Sequence, residues 1–195
     1  LPCAVALMVI ALPLTAALYQ RGAFTADDTA ATALVLAIYG AGLPAFVLHK
    51  VYQPLYYARE DSRSPFRFAI VSMIINAAIA VGLMPYIGFA AAALATTLAG
   101  WMMAAQLWFG TKRMGDAARF DTRFRSRAPR IIIAAIVMGF ALYGTQVALG
   151  EMLASHGWRY AGLALLITTG VLSYSAAGTA IGAFKLSDFR NLRRR

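Results

Sequence analysis

The chain alternates between long apolar stretches and short polar segments. Residues 29–48 carry no charge, and a helix of that length crosses a bilayer core at a rise of about 1.5 Å per residue. Upstream, Thr25 is followed three residues later by Asp28, which is the pattern of a capped helix start. Downstream lies a charged hinge, residues 59–65, whose last serine is predicted to cap the next helix and whose proline is its first residue. The pattern predicts a membrane-crossing helix that ends in a hairpin.

The same alternation predicts six membrane spans along the whole chain. They lie at about residues 1–18, 28–57, 65–84, 88–110, 129–149 and 158–184. Residues 111–128 are predicted to form a basic cytoplasmic loop, and residues 185–195 a basic cytoplasmic tail. Pro13 predicts a kink rather than a break in the first span. Strand-like alternation is not found, so the predicted fold class is all-α, a polytopic membrane protein.

Composition and charge support this interpretation. The 195 residues are 61% hydrophobic and 13% charged, whereas a soluble domain has about a quarter charged residues. Of the 18 Lys and Arg residues, all except Arg21 and Arg159 fall in the loops after spans two and four, in the span ends that adjoin these loops, or in the tail. Basic residues accumulate on the cytoplasmic side, so both ends of the chain are predicted to be cytoplasmic. The net charge of +10 then follows from topology and does not indicate nucleic-acid binding.

The first residues also suggest a fragment. The chain begins inside a hydrophobic segment without a basic leader or cleavage site, so we expect the C-terminal portion of a longer protein rather than a signal peptide. Its one cysteine, Cys3, excludes a disulfide framework within the chain.

Catalytic chemistry is not expected. Every aspartate and glutamate lies in a predicted loop or at a span end, and His49 and His156 are far apart in the sequence. Paired intramembrane carboxylates, metal-ligand spacing, a nucleophile elbow and a phosphate loop are all lacking. The sequence therefore predicts a protein that is not an enzyme.

Two polar residues within the spans are more informative. Asn76 and Thr96 are predicted to lie at nearly the same depth in consecutive antiparallel spans. A hydrogen bond between the two helices is the favoured interpretation, and a cation site is the alternative. A carboxylate would strengthen a cation site, but Ala80 stands one turn beyond Asn76.

Other features of span two have two interpretations each. Lys50 either snorkels to the inner interface or pairs with an anionic substrate in a central cavity. Gly40, Gly42 and Pro44 form either a hinge that bends during transport or a static packing kink.

Residues 21–28, RGAFTADD, and 42–65, GLPAFVLHKVYQPLYYAREDSRSP, resemble the MurJ/MviN family of bacterial lipid II flippases. That family belongs to the multidrug/oligosaccharidyl-lipid/polysaccharide exporter superfamily. The likeness covers essentially the whole chain, which would make it the last six of fourteen helices in a two-lobe transporter. His49 and Gln53 depart from the family's pattern, which has mostly apolar residues there.

The resemblance implies a function for the whole protein. It would flip the undecaprenyl-linked peptidoglycan precursor from the inner to the outer leaflet of the bacterial cytoplasmic (inner) membrane by alternating access. The arginines that bind the pyrophosphate would lie in the missing N-terminal half, which is the expected partner together with membrane lipids. Spans five and six would form a groove for the lipid tail. No cofactor is implied beyond sodium or proton coupling, with a weak sodium site at Asn76 and Thr96, where Ala80 replaces the expected acidic ligand.

The alternatives belong to other classes. One is a related exporter of another polyprenyl-linked saccharide or of drugs or cations, and others are a membrane-embedded enzyme and a membrane scaffold. Antiporters of the superfamily have twelve helices and would lack spans five and six, so those spans favour the lipid flippase.

Overall fold

The computed structural model describes residues 1–114, 122–154 and 157–183, and within these ranges the chain is helical without strands. The helices are α1 (Pro2–Val9), α2 (Ala11–Tyr19), α3 (Ala26–Tyr57), α4 (Arg63–Ile87), α5 (Ala90–Thr111), α6 (Thr122–Ala148), α7 (Gly150–Ala154) and α8 (Arg159–Ala180), and a 3₁₀ turn at Lys112–Met114 follows α5. Of the helices in these ranges, five are long and apolar enough to cross a membrane, and α1 with α2 form a bent sixth. The all-α polytopic prediction is therefore confirmed.

Most predicted boundaries differ from these bounds by a few residues. The exception is α6, which begins at Thr122 rather than at Pro129, so the last part of the predicted loop is helical. His156, the tail at 185–195 and the middle of the basic loop lie outside the described residues.

The first span is broken rather than kinked, which corrects the prediction. α1 and α2 meet at Ile10 with axes bent by 70°. Pro13 has no N–H to bond the carbonyl of Val9, and its ring collides with that carbonyl one turn earlier. The interruption therefore lies before the proline, and Ile10 takes φ −99° and ψ 17°, outside helical geometry.

The start of α3 is a reciprocal cap, as predicted. The Thr25 backbone N–H donates to Asp28 Oδ2 at 2.9 Å, and the Asp28 N–H donates to Thr25 Oγ1 at 3.2 Å. The Thr25 hydroxyl also donates to Asp28 Oδ2 at 2.7 Å. Two amides that have no partner within the helix are thereby satisfied.

The hinge between α3 and α4 is a tight turn. Glu60 has φ 57°, the left-handed conformation that reverses the chain after Tyr57. The Asp61 N–H then donates back to the carbonyl of Tyr56 at 3.1 Å. A short charged segment therefore joins two long apolar helices.

The cap of α4 differs from the prediction. The helix begins at Arg63 with Ser62 as N-cap, so Ser64 is not the cap and Pro65 is not the first helical residue. The Asp61 carboxylate accepts a hydrogen bond from the Ser64 backbone N–H at 3.0 Å and supports the earlier start. Hydrogen bonds from Ser64, first from its side chain and then from its backbone, hold the pKa of Asp61 below its ordinary value.

The helices form two compact units, which are described separately. Leu1–Ala33 and Phe120–Arg195 form the first unit, with α1, α2, the first turns of α3, α6, α7 and α8. Its core is built from Ile10 at the break, Met138 and Leu142 on α6, and Leu166 on α8. Gly170 allows close packing of α8 on α6, because a Cβ there would lie 3.2 Å from Leu142 Cδ2.

Leu34–Arg119 form the second unit, which contains the rest of α3 with α4 and α5. In the most apolar stretch of α5, 50% of the residues are buried, whereas 6% are buried in the corresponding stretch of α4. Small residues such as Ala91, Ala95 and Ala99 account for much of the buried surface of α5. Such small residues let neighbouring helices approach closely.

Candidate functional site

The second unit brings Asn76 and Thr96 together. Asn76 Nδ2 donates to Thr96 Oγ1 at 3.3 Å across the α4–α5 interface, and the Thr96 hydroxyl donates to the carbonyl of Ala92 at 2.8 Å. The hydrogen bond expected from their depths is present. The bond from Asn76 uses one of the two lone pairs of the Thr96 hydroxyl, and the bond to Ala92 uses its hydrogen.

A further oxygen lies on the same face of α4. Ser72 is one turn before Asn76, and its hydroxyl is buried without a hydrogen-bond partner in the described part of the chain. A buried hydroxyl without a partner is uncommon and marks a place where a polar group could be accommodated. Ala80, one turn after Asn76, adds no ligand, so the arrangement offers neutral oxygens only.

A row of hydrogen bonds joins α3 and α5, and the sequence did not predict it. Two donors lie on α5, where Thr97 Oγ1 bonds the Ile38 carbonyl at 3.0 Å and Trp101 Nε1 bonds the Ala41 carbonyl at 3.0 Å. Two lie on α3, where His49 Nε2 bonds the Gly100 carbonyl at 2.8 Å and the Tyr56 hydroxyl bonds the Leu107 carbonyl at 2.8 Å.

The sequence feature that could have indicated this row of hydrogen bonds is the spacing of the donor residues. Thr97 and Trp101 are four residues apart, and His49 and Tyr56 are seven apart, so each pair shares one face of an apolar helix. His49 is half-buried, and its ring bonds a backbone carbonyl of the neighbouring helix. A hydrogen-bonding stripe therefore identifies the faces along which α3 and α5 pack.

The glycine–proline cluster lies in the middle of α3. Gly40 and Gly42 are buried and Pro44 is half-buried. A Cβ on Gly42 would lie 3.0 Å from Thr97 Oγ1, so this glycine permits close contact with α5. Pro44 cannot donate to the carbonyl of Gly40, which weakens α3 locally. The hinge role of the cluster stays a prediction.

Lys50 is separate from this interior. Its side chain is exposed on α3, whereas the neighbouring His49 is half-buried. The structure does not bring Lys50 together with Asn76 and Thr96 through any contact among the described residues. Its assignment to the substrate pathway also stays a prediction.

The first unit contains an apolar groove between α1, α6 and α8. It has a volume of about 290 Å³. Its lining includes Cys3, Ile10, Met138, Leu166, Val171 and Tyr174. Such a surface fits hydrocarbon, because apolar groups are favourably removed from water by contact with one another.

Long apolar helices and polar groups that pair within helix interfaces define the class as a multi-pass membrane protein. A family model described as lipid II flippase MurJ matches residues 1–168. The chain belongs to the MurJ lipid II flippase family.

Relatives agree with this assignment. A protein of Rhizobium meliloti (strain 1021) named "Probable lipid II flippase MurJ" is 38% identical over 193 residues, covering 97% of this chain and 36% of the relative. A Rhizobium tropici protein of the same name is 39% identical over 175 residues, covering 88% of this chain and 31% of the relative. The chain therefore spans about a third of the length of these relatives.

A solved structure shares the fold. It is described as "Lipid II flippase MurJ, inward closed conformation" and matches with a TM-score of 0.72 at 24% identity. The match covers 92% of this chain and 35% of that one.

Proposed function

We propose that the whole protein flips lipid-linked peptidoglycan precursor, lipid II, from the inner to the outer leaflet of the bacterial cytoplasmic membrane by alternating access. This chain would supply the last six of fourteen helices, and the missing N-terminal half the other lobe. The observation that carries the proposal is the family match over residues 1–168 on a chain with membrane-length helices. A rocking carrier needs a cavity and a path for the tail but no catalytic group, so the proposed protein is not an enzyme.

Complementation tests this function. The full-length gene is expressed in cells depleted of their own lipid II flippase, and the arrival of precursor in the outer leaflet is measured. Rescue of growth together with outer-leaflet precursor is expected. Well-expressed protein that restores neither would refute the proposal, whereas transport of a different polyprenyl-linked saccharide, a drug or a cation would support the related-exporter alternative. The family match does not favour that alternative.

The proposed topology places both ends of the chain in the cytoplasm. Its support is the charge distribution, since all Lys and Arg residues except Arg21 and Arg159 fall on one predicted side. Cysteines introduced one at a time at Ala117 and Gly157, in a full-length protein whose other cysteines, including Cys3, are replaced by serine, would be labelled with a membrane-impermeant reagent. Labelling of Gly157→Cys from outside, and of Ala117→Cys only after permeabilisation, is expected. Labelling of both from the same side would contradict the topology.

The apolar groove of the first unit is the proposed site of the lipid tail. Gly170 and Leu142 lie on facing surfaces there, and the groove is lined almost wholly by apolar side chains. A Gly170→Leu variant should obstruct the groove and reduce flipping. Gly144→Leu is the matched control on α6, because a Cβ at Gly144 meets no atom within 4 Å. Equal flipping rates in the two variants would show that the groove is not needed for transport.

For the substrate pathway we propose Asn76, Thr96 and Lys50, with Gly40, Gly42 and Pro44 as the bending region. The polar pair also bears on ion coupling. A weak sodium site would need Asn76 to turn its carbonyl oxygen towards Thr96, replacing the present hydrogen bond. Flipping that falls in Thr96→Val only when sodium is present would support such a site. An equal decrease in flipping in sodium medium and in choline medium would show that the pair is a structural hydrogen bond and not a sodium site.

A further inference from the structure

A buried arginine lies at one end of the first unit. Arg159, the first residue of α8, is only 7% exposed. Its Nη1 donates to the carbonyl of Ala16 at 3.0 Å and to that of Gln20 at 3.2 Å. Gln20 is the C-cap of α2, where backbone carbonyls lack helical partners, and Ala16 lies in the last turn, where its carbonyl also accepts from the Gln20 N–H at 3.3 Å. One side of the guanidinium therefore caps α2.

A second nitrogen of this guanidinium has no such acceptor. Its Nε is buried and has no hydrogen-bond partner in the described part of the chain. The same cavity is lined by Gln146, whose carboxamide oxygen is also buried without a partner. Oxygen and nitrogen of a carboxamide are assigned from their surroundings, so Gln146 can present N–H donors to a ligand by rotation. Among the described residues Arg159 makes no ion pair. A buried cation without a counter-ion is costly, which points to an anion at this place.

The cavity has room for such a group. It measures about 560 Å³ and is lined by the polar residues Gln20, Thr29, Gln146 and Arg159 among apolar neighbours. The N-terminus of α8 begins there, and its N-cap, Trp158, makes no side-chain cap hydrogen bond. The free amides and the helix dipole at this end add positive potential beside the guanidinium.

The surroundings identify the source of the anion. Trp158 and Tyr160 flank Arg159 in the sequence, and both rings are exposed. Exposed Trp and Tyr at the ends of membrane helices lie at the headgroup level of the bilayer. The cavity is therefore placed where lipid phosphates are concentrated, and its apolar lining can accept the glycerol backbone and first methylenes of a lipid.

We propose that Arg159 and Gln146 bind the phosphate of a membrane lipid headgroup at this end of the first unit. This goes beyond the flipping of a precursor, because the lipid would be a bound component that fills the cavity and bridges α2, α6 and α8. Binding is measured without transport, so failure of the flippase proposal would leave this one standing, and the reverse also holds.

The test uses the full-length protein in detergent and native mass spectrometry. The probes are phosphatidylglycerol and a diacylglycerol with the same acyl chains, which differ in the phosphate-bearing headgroup. Phosphatidylglycerol should be retained in preference to diacylglycerol. Arg159→Gln should lower its retention by about tenfold or more, and Gln146→Leu by about two- to tenfold, since hydrogen bonds to charged groups are the stronger ones.

Gln146→Leu decides the question if Arg159→Gln fails to fold, because it leaves the two bonds from Arg159 to α2 in place. Gln106→Leu is its matched control, since Gln106 also has a buried carboxamide atom without a partner but lies in the second unit. Loss in Gln146→Leu with no loss in Gln106→Leu supports the site.

Three results would overturn the proposal. They are equal retention of diacylglycerol, equal retention of phosphatidylglycerol by Gln146→Leu and Gln106→Leu, and retention of added inorganic phosphate without any retention of lipid. Displacement of phosphatidylglycerol by inorganic phosphate would instead support recognition through the phosphate.

Discussion

A contact between α3 and α5 gives the sharpest test of the packing. Tyr56 is 2% exposed, and its hydroxyl donates to the carbonyl of Leu107 at 2.8 Å. Its ring meets Phe68 edge-on, with ring centroids 6.1 Å apart. Gly110 lies against this hydroxyl, so a methyl group added there would overlap the hydroxyl oxygen and lie 3.3 Å from Cζ. The glycine therefore provides the space that the tyrosine hydroxyl fills.

The expected magnitudes follow from that geometry. Gly110→Ala forces the hydroxyl away, at a cost of about 1–3 kcal/mol for overpacking and about 1 kcal/mol for the hydrogen bond. The better helix propensity of alanine offsets about 1 kcal/mol of this. Tyr56→Phe alone loses only the hydrogen bond, about 1 kcal/mol. The double variant removes the overlapping atom and keeps the helix propensity of alanine, so it should be more stable than Gly110→Ala and at least as stable as Tyr56→Phe, a coupling of about 2–3 kcal/mol.

The assay is reversible unfolding of the full-length protein in mixed detergent micelles, with the free energy of unfolding measured for the four members of the cycle. Gly82→Ala is the control, because a Cβ at Gly82 on α4 meets no atom within 4 Å. It should be neutral or slightly stabilising. A double variant no more stable than Gly110→Ala, or a Gly110→Ala variant as stable as Gly82→Ala, would refute the reasoning.

Three further predictions concern the same helices. Gly42→Ala should lower the free energy of unfolding by about 1–2 kcal/mol and impair complementation, because its Cβ would lie 3.0 Å from Thr97 Oγ1, whereas Gly82→Ala should not. Thr25→Ala should cost about 1 kcal/mol of local stability, seen as faster hydrogen exchange of the Asp28 amide. The lowered pKa of Asp61 predicts that Ser64 amide protection is full above about pH 4 and is lost as the pH falls through the folded value.

Each of these predictions has a result that contradicts it. For Gly42→Ala, it is stability and complementation equal to those of Gly82→Ala. For the cap, it is an unchanged exchange rate at Asp28, and Asp27→Ala serves as the neighbouring control. For Asp61, it is the same pH dependence of protection in Asp61→Asn, which has no carboxylate to titrate.

Much of the fold could be predicted because membrane insertion depends on local composition. A run of about 20 apolar residues must satisfy its backbone as a helix, wherever the rest of the chain lies. The reciprocal cap at Thr25 and Asp28 could also be predicted, because it is local and its two residues are three positions apart. The break at Ile10 was harder to place, because Pro13 acts on a carbonyl one turn earlier.

For the candidate sites too, contacts between consecutive helices could be predicted, and contacts between helices distant in the sequence could not. Asn76 and Thr96 could be matched from the sequence, since two consecutive antiparallel helices leave little freedom in which residues share a depth. Pairs more distant in sequence could not be matched in that way. Arg159 bonds Ala16, and Gly110 faces Tyr56, only because particular faces of separate helices turn towards each other.

By itself, the sequence determined that this protein is a set of membrane-crossing helices with basic segments on alternate connections, because hydropathy and charge act on each segment independently. The tertiary structure decided how each helix is rotated about its axis, and thus which carbonyl of another helix accepts a hydrogen bond from a buried donor. Apolar surface is nearly uniform around these helices, so the rotation is set by close packing of small residues and by a few interhelical hydrogen bonds.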